Sequence, residues 1–138
     1  MANNEDTGNG ATLTLSTGTT GNFEQISPGE QTATPIEDSH LGTTGNSTFR
    51  AADLYDEGEV SGTYQWSSDE APPTPNSTVT ATVTWPTPSG LSTPANKAGT
   101  AIITRVKHPE LVNNELQKAE ITLKWDGKTG PTYTAATA

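Results

Sequence analysis

The sequence predicts an all-β fold: a β-sandwich or partial barrel of about six to eight strands, with at most one short helix and one long acidic loop. Three observations predict it. About a fifth of the chain is threonine, a β-branched residue suited to pleated, half-exposed surfaces. Thirteen glycines and ten prolines punctuate the chain with turns. Between those turns several stretches alternate apolar and polar residues with a period of two, the spacing that puts one face of a strand on a core.

In chain order, residues 1–10 are polar and rich in Gly and Asn, and read as a flexible N-terminal arm before a single domain over residues 11–138. ATLTLS (residues 11–16) sets Leu13 and Leu15 against Thr12 and Thr14, a strand. STGTTGN (residues 16–22) is a turn, and NFEQIS (residues 22–27) a second strand that ends at Pro28-Gly29. Residues 28–58 have no clean periodicity and read as a long polar loop with isolated apolar anchors, Ile36, Leu41, Phe49, Leu54 and Tyr55. A loop of this length in a compact domain is usually functional. One helical turn fits near Ala51–Tyr55.

Strict alternation resumes at EVSGTYQWS (residues 59–67), with Val60, Gly62, Tyr64 and Trp66 on one face. DEAPPTPNS (residues 69–77) is a stiff Pro-rich loop, since proline cannot donate to a ladder. STVTATVTW (residues 77–85) is the cleanest strand, with Val79, Ala81, Val83 and Trp85 against four threonines. After a second Pro/Gly loop at residues 86–99, TAIITRVK (residues 100–107) carries apolar groups on both faces and reads as a central strand, with Ile102, Thr104 and Val106 opposite Ala101, Ile103 and Arg105. HPELVNNEL (residues 108–116) fits either one helical turn or a hairpin loop. QKAEITLKWDG (residues 117–127) alternates again, placing Ala119, Ile121, Leu123 and Trp125 inward, and residues 131–138 form a short last strand or tail. The predicted core is Val60, Tyr64, Trp66, Val79, Val83, Trp85, Ile121, Leu123 and Trp125.

The apolar share of 30% and the charged share of 17% are both low. A domain of this size buries roughly two-thirds of its unfolded surface, and this chain has few large apolar groups to bury. Part of its stability is therefore expected from neighbouring subunits. A net charge of −9 argues against a nucleic-acid-binding surface built from Lys and Arg. Cysteine is absent, so there is no disulfide framework. MANNEDTGNG has neither a basic segment nor an apolar one, and no apolar run approaches the ~20 residues of a membrane span. The expectation is a protein without signal peptide or membrane anchor, left in the cytoplasm where it is made.

Three segments, taken in order, resemble the tail tube family of long-tailed (siphovirus-type) bacteriophages. PIEDSHLGTT and FRAADLYDEGEVSGTYQW (residues 35–44 and 49–66) follow a family pattern that runs from an acid-and-hydroxyl segment, here Glu37, Asp38 and Ser39, to an apolar stretch with Asp and Gly-Glu that feeds a strand, here Phe49, Leu54, Asp56, Gly58 and Glu59. TVTATVTWP (residues 78–86) is similar to the strand after the middle loop, and EITLKWDGKTGPTYT (residues 120–134) to the final strand and its closing turn. The likeness spans roughly residues 35–134. It departs from the family between the middle strands, where members commonly carry a helix and this chain has DEAPPTPNS. The helix is either dropped or placed elsewhere, at residues 108–116.

The resemblance implies a virion protein made in the host bacterium, a β-sandwich protomer of hexameric rings stacked into a tail tube. Each subunit would lend strands to a continuous inner barrel, and the loop of residues 28–58, with Ile36, Leu41, Phe49, Leu54 and Tyr55, would reach a neighbouring ring or subunit. The implied partners are further copies of the chain, the tape measure protein, and tail terminator and baseplate proteins. Double-stranded DNA would pass through the bore during ejection without specific binding. The physics is compatible, because pairing edge strands around a ring disposes of them. An acidic lumen would repel phosphate, and Glu57, Glu59 and Glu120 are the candidate lumen carboxylates because they stand opposite the apolar strand faces.

Other chemistry finds weaker footing. Asp38, Ser39 and His40 could be assembled into a triad on paper, but adjacent residues of an extended loop do not converge on one reacting atom. The acids Asp53, Asp56, Glu57 and Glu59 lack the spacing of a Ca²⁺ loop. No catalytic residue, metal ligand or cofactor is therefore expected. Trp66, Trp85 and Trp125 fall on apolar strand faces and read as core rather than as a sugar platform. Besides the tube subunit, an Ig-like binding module such as a capsid decoration or adhesin domain remains, since sandwiches host both. The long acidic loop and the lack of a Cys…Trp…Cys frame speak against it.

Overall fold

The computed structural model describes residues 7–18 and 21–138. Residues 1–6 of the expected arm, and residues 19–20 of the first turn, lie outside the described residues. The fold is all-β, and the described residues contain no helix. Nine strands form in order: β1 (Thr12–Leu15), β2 (Phe23–Ser27), β3 (Ile36–Glu37), β4 (Phe49–Arg50), β5 (Glu59–Gln65), β6 (Thr78–Thr84), β7 (Asn96–Lys107), β8 (Lys118–Trp125) and β9 (Thr132–Thr134). Seven make one antiparallel sheet, ordered β1-β6-β7-β8-β5-β2 with β9 added beside β7, while β3 and β4 pair only with each other.

The long strand β7 organises the sheet. Its first part, Asn96–Ile102, pairs with β6, and Asn96–Ala98 also pair with β9. Its last part, Ala101–Lys107, pairs with β8. The sheet therefore folds over along β7, and its end strands β1 and β2 come within 8 Å of each other without forming a ladder. The result is sandwich-like rather than a closed barrel. This folding over is what lets one face bury itself with no second layer to cover it.

That face is the alternating set. Leu13, Val60, Tyr64, Val79, Ala81, Val83, Ala101, Ile103, Ala119, Ile121, Leu123 and Trp125 form one cluster, each at most 4% exposed. The register stacks them directly: Leu13 opposite Val83, Val60 opposite Leu123, and Ile103 opposite Leu123 on its other side. Withdrawing a side chain such as Ile121 or Leu123 from water stabilises the fold by ~1.5–3 kcal/mol. Alanines at 81, 101 and 119 keep this interior thin.

Several expectations are corrected. Trp66 and Trp85 are half-buried and pack against the cluster rather than within it, because both fall just past the last paired residue of their strands. Trp66 instead meets Tyr64 and His108, and Trp85 meets Tyr133. The strand β7 begins at Asn96, inside the stretch read as a loop, since pairing on both sides outweighs a segment with no apolar alternation. It also does not present Val106 opposite Ile103. The pairing register shifts between Ile103 and Arg105, so that Val106 faces Ile121 and packs against the core. Residues 108–116 form the hairpin loop of the two alternatives, turning at Asn114 with φ of 65°. Ala51–Tyr55 make no helical turn.

Candidate functional site

The outer face of the β2-β5-β8-β7 half holds a shallow groove of about 710 Å³. Alternation decides its chemistry: with Val60, Tyr64, Ile121 and Leu123 inward, the residues left outward are Ser61, Thr63, Thr122, Glu59 and Glu120. Gln25 and Ser27 of β2 and Arg105 of β7 complete the wall. Glu59 and Glu120, two of the three candidate lumen carboxylates, do stand on this outer face.

The same face gathers four cations, and every one has a carboxylate. Arg105 and Lys107 approach Glu120 at 3.5 and 3.6 Å, Lys118 approaches Glu24 at 3.2 Å, and Lys124 donates to Asp56 at 2.8 Å. The hydrogen bond from Lys124, with a second from the Gly58 N–H, holds the Asp56 carboxyl below its ordinary value. The wall thus interleaves both signs of charge rather than being uniformly negative.

Glu57, the third candidate, is elsewhere. Gly58 takes a φ of 85°, which breaks the alternation just before β5 starts, and Glu57 turns in toward the end of the core. Its Oε2 lies 3.7 Å from Nζ of Lys97, with both side chains nearly out of solvent, and its Oε1 accepts from Gln31 Nε2 at 2.7 Å. Lys97 sits on the inward face of β7, opposite Val83, with its ammonium 5.7 Å from the centroid of the Trp125 ring. At 3.7 Å the Lys97–Glu57 contact is an ion pair without a hydrogen bond, so Glu57 Oε2 has a counter-charge but no donor. No sequence pattern marks this pair, because Lys97 falls in a stretch without alternation.

These contacts fix the base of the long loop. Thr32 and Asp56 exchange two backbone hydrogen bonds at 2.8 and 2.9 Å, beside the Gln31–Glu57–Lys97 chain. Beyond that base, residues 33–55 pair with no strand of the main sheet, and the β3–β4 hairpin stands alone. Asp38, Ser39 and His40 serve this hairpin: the Asp38 carboxylate accepts from the Thr48 hydroxyl, Ser39 Oγ from the Thr48 N–H, and His40 Nδ1 from the Gly42 N–H. All five apolar anchors are exposed, from Ile36 at 40% to Leu54 at 85% and Leu41 fully. Among the described residues no group of three or more His, Cys, Asp or Glu is placed to hold a metal ion.

Among the described residues, β1, β2 and β9 each have one side without a ladder in the main sheet, with the unladdered strands β1 and β2 lying within 8 Å of each other. Comparison with protein-family models and with curated proteins found no match for the chain.

Proposed function

We propose that the chain is a structural subunit of a phage-type tail tube, assembling with copies of itself into stacked rings around a DNA conduit. The observation that carries this reading is the segment of residues 33–55, whose short β3–β4 ladder joins no strand of the main sheet and whose Ile36, Leu41, Phe49, Leu54 and Tyr55 stay exposed in the single chain. These exposed apolar side chains are the ones we assign to contacts with other copies. The strand sides without a ladder at β1, β2 and β9 supply the second support, since edge-to-edge pairing around a ring would satisfy them. The resemblance over residues 35–134 selects this assembly among those such a protomer could build.

The groove face suits a wall that DNA slides past. Phosphate binding is driven by free Lys and Arg that release counterions, and here Arg105, Lys107, Lys118 and Lys124 are already engaged by carboxylates. Non-stick behaviour then comes from paired cations and hydroxyl-lined strands, with Glu59 adding negative charge, rather than from a continuous acidic lining. Negative-stain imaging of the purified protein tests the proposal. Rings or tubes are the expected result, and persistent monomers at high concentration would overturn it in favour of a binding module that uses the same groove.

A further inference from the structure

The two outer faces of the folded sheet differ in charge. On one, β5 and β8 present Glu59, Lys118, Glu120 and Lys124. The other is formed by β1, β6, β9 and the first part of β7, Asn96–Ile102. Its strands carry one charged residue, Lys97, and that side chain points inward with Val83. In a chain of net charge −9, this face presents no charge at all.

Threonines fill it in register. With Leu13, Val83 and Ala101 in the core, the residues left outward form rows across the strands. Thr14, Thr82, Ala98 and Thr132 make one row, and Thr12, Thr84, Asn96 and Thr134 the next. Thr80 opposite Thr100 begins a third. Among the described residues these ladders run without a register shift, since the one in β7 falls between Ile103 and Arg105, outside the face. Neighbours along a row are about 4.8 Å apart, and outward neighbours along a strand about 6.7 Å.

Each threonine offers water two groups. Its hydroxyl both donates and accepts, and its methyl orders the water it cannot bond. Among the described residues no hydroxyl in these rows bonds within the chain. Repeated at two fixed spacings, such groups hold water in rows, and the spacings approximate the repeats of oxygen rows in the prism plane of ice. A charge would gather its own hydration shell and break the rows. Another protein is a poorer occupant: four strands by the seven residues of β6 cover roughly 400 Å², about half of the ~800 Å² that each partner buries in a stable interface.

We propose that the threonine face of β1, β6, β7 and β9 binds ice. The inference stands apart from self-assembly, because it uses the face of these strands and neither their edges nor the segment of residues 33–55.

The test is the gap between melting and freezing points of a single ice crystal in the protein solution, with the crystal's shape recorded. Faceted crystals and a measurable gap are expected for the unaltered chain, and an unfaceted crystal without a gap would overturn the proposal. Thr82→Lys, at the centre of the rows, should abolish the gap, whereas Glu110→Lys, in the turn between β7 and β8, should keep it. Circular dichroism checks that each variant is folded. Should Thr82→Lys fail to fold, Thr82→Ser decides, since it keeps the hydroxyl and loses the methyl and should narrow the gap. A gap unchanged in every folded variant at Thr82 would overturn the assignment to this face. Loss of self-association in Thr82→Lys, with no ice activity in the unaltered chain, would give the face to a second copy instead.

Discussion

Lys97 Nζ lies 3.7 Å from Glu57 Oε2 at the end of the core and 5.7 Å from the centroid of the Trp125 ring. The pair joins β7 to the base of the long loop, and its side chains are only 11% and 12% exposed. Removing one charge from such a pair leaves the other buried without compensation, which costs more than the intact pair contributes. Lys97→Met should destabilise the fold by about 3 kcal/mol. The Lys97→Met/Glu57→Gln double variant should recover part of that loss. Chemical denaturation of the four proteins of the cycle measures both quantities, and additive losses would mean the two residues are uncoupled.

Gly62 on β5 is covered by the Phe23 ring of β2. A Cβ at Gly62 would come within 2.7 Å of a Phe23 ring carbon and 2.9 Å of another, well inside contact distance. Gly62→Ala should therefore cost about 1–3 kcal/mol by overpacking. The same substitution in a Phe23→Ala background should cost less, because the obstructing ring is gone. Equal losses in both backgrounds, read from thermal melts, would place the strain elsewhere.

Asp56 titrates below its ordinary value of 3.8, mainly because Lys124 donates to it and secondarily through the Gly58 N–H. For a carboxylate depressed on folding, the associated stability is fully present above the unfolded pKa and is lost as pH falls through the folded one. The contribution should thus be intact above about pH 4 and fade only in stronger acid. Carbon-detected NMR titration should find the Asp56 midpoint below its ordinary value of 3.8. Lys124→Met should move its midpoint upward, and no movement would assign the depression to the backbone donor alone.

Glu120 engages two cations, Arg105 and Lys107. Glu120→Gln releases both on the groove face. Exposed pairs of this kind contribute at most about 1 kcal/mol, so stability should barely change. Weak, sequence-independent DNA binding should instead appear at low salt and vanish as salt is raised. Fluorescence anisotropy with a labelled duplex reads this directly. Equal and negligible binding by both proteins would mean that cation pairing is not what keeps the face from retaining DNA.

Much of the fold was legible because period-two alternation is a local property. Val79, Ala81 and Val83 against Thr78, Thr80 and Thr82 declare a face whatever the strand pairs with, and the same holds for Ile121 and Leu123 in β8. The misread positions share a cause, which is pairing partners remote in sequence. Asn96–Gly99 became strand because β6 and β9 flank it, and Val106 changed face because β8 imposes a register shift. Trp66 and Trp85 remained half-buried because the ladders stop one residue short of them.

For the candidate surfaces the division is sharper. Residue order alone determined that Glu59 and Glu120 oppose an apolar face, and that Ile36, Leu41, Phe49, Leu54 and Tyr55 lie in a segment without periodicity. Only the tertiary structure decided that Glu57 turns inward to Lys97 and that four cations meet carboxylates on one wall. The physical reason is range. Alternation is written by bonds between neighbours in the chain, whereas ion pairs depend on which strands the fold brings side by side.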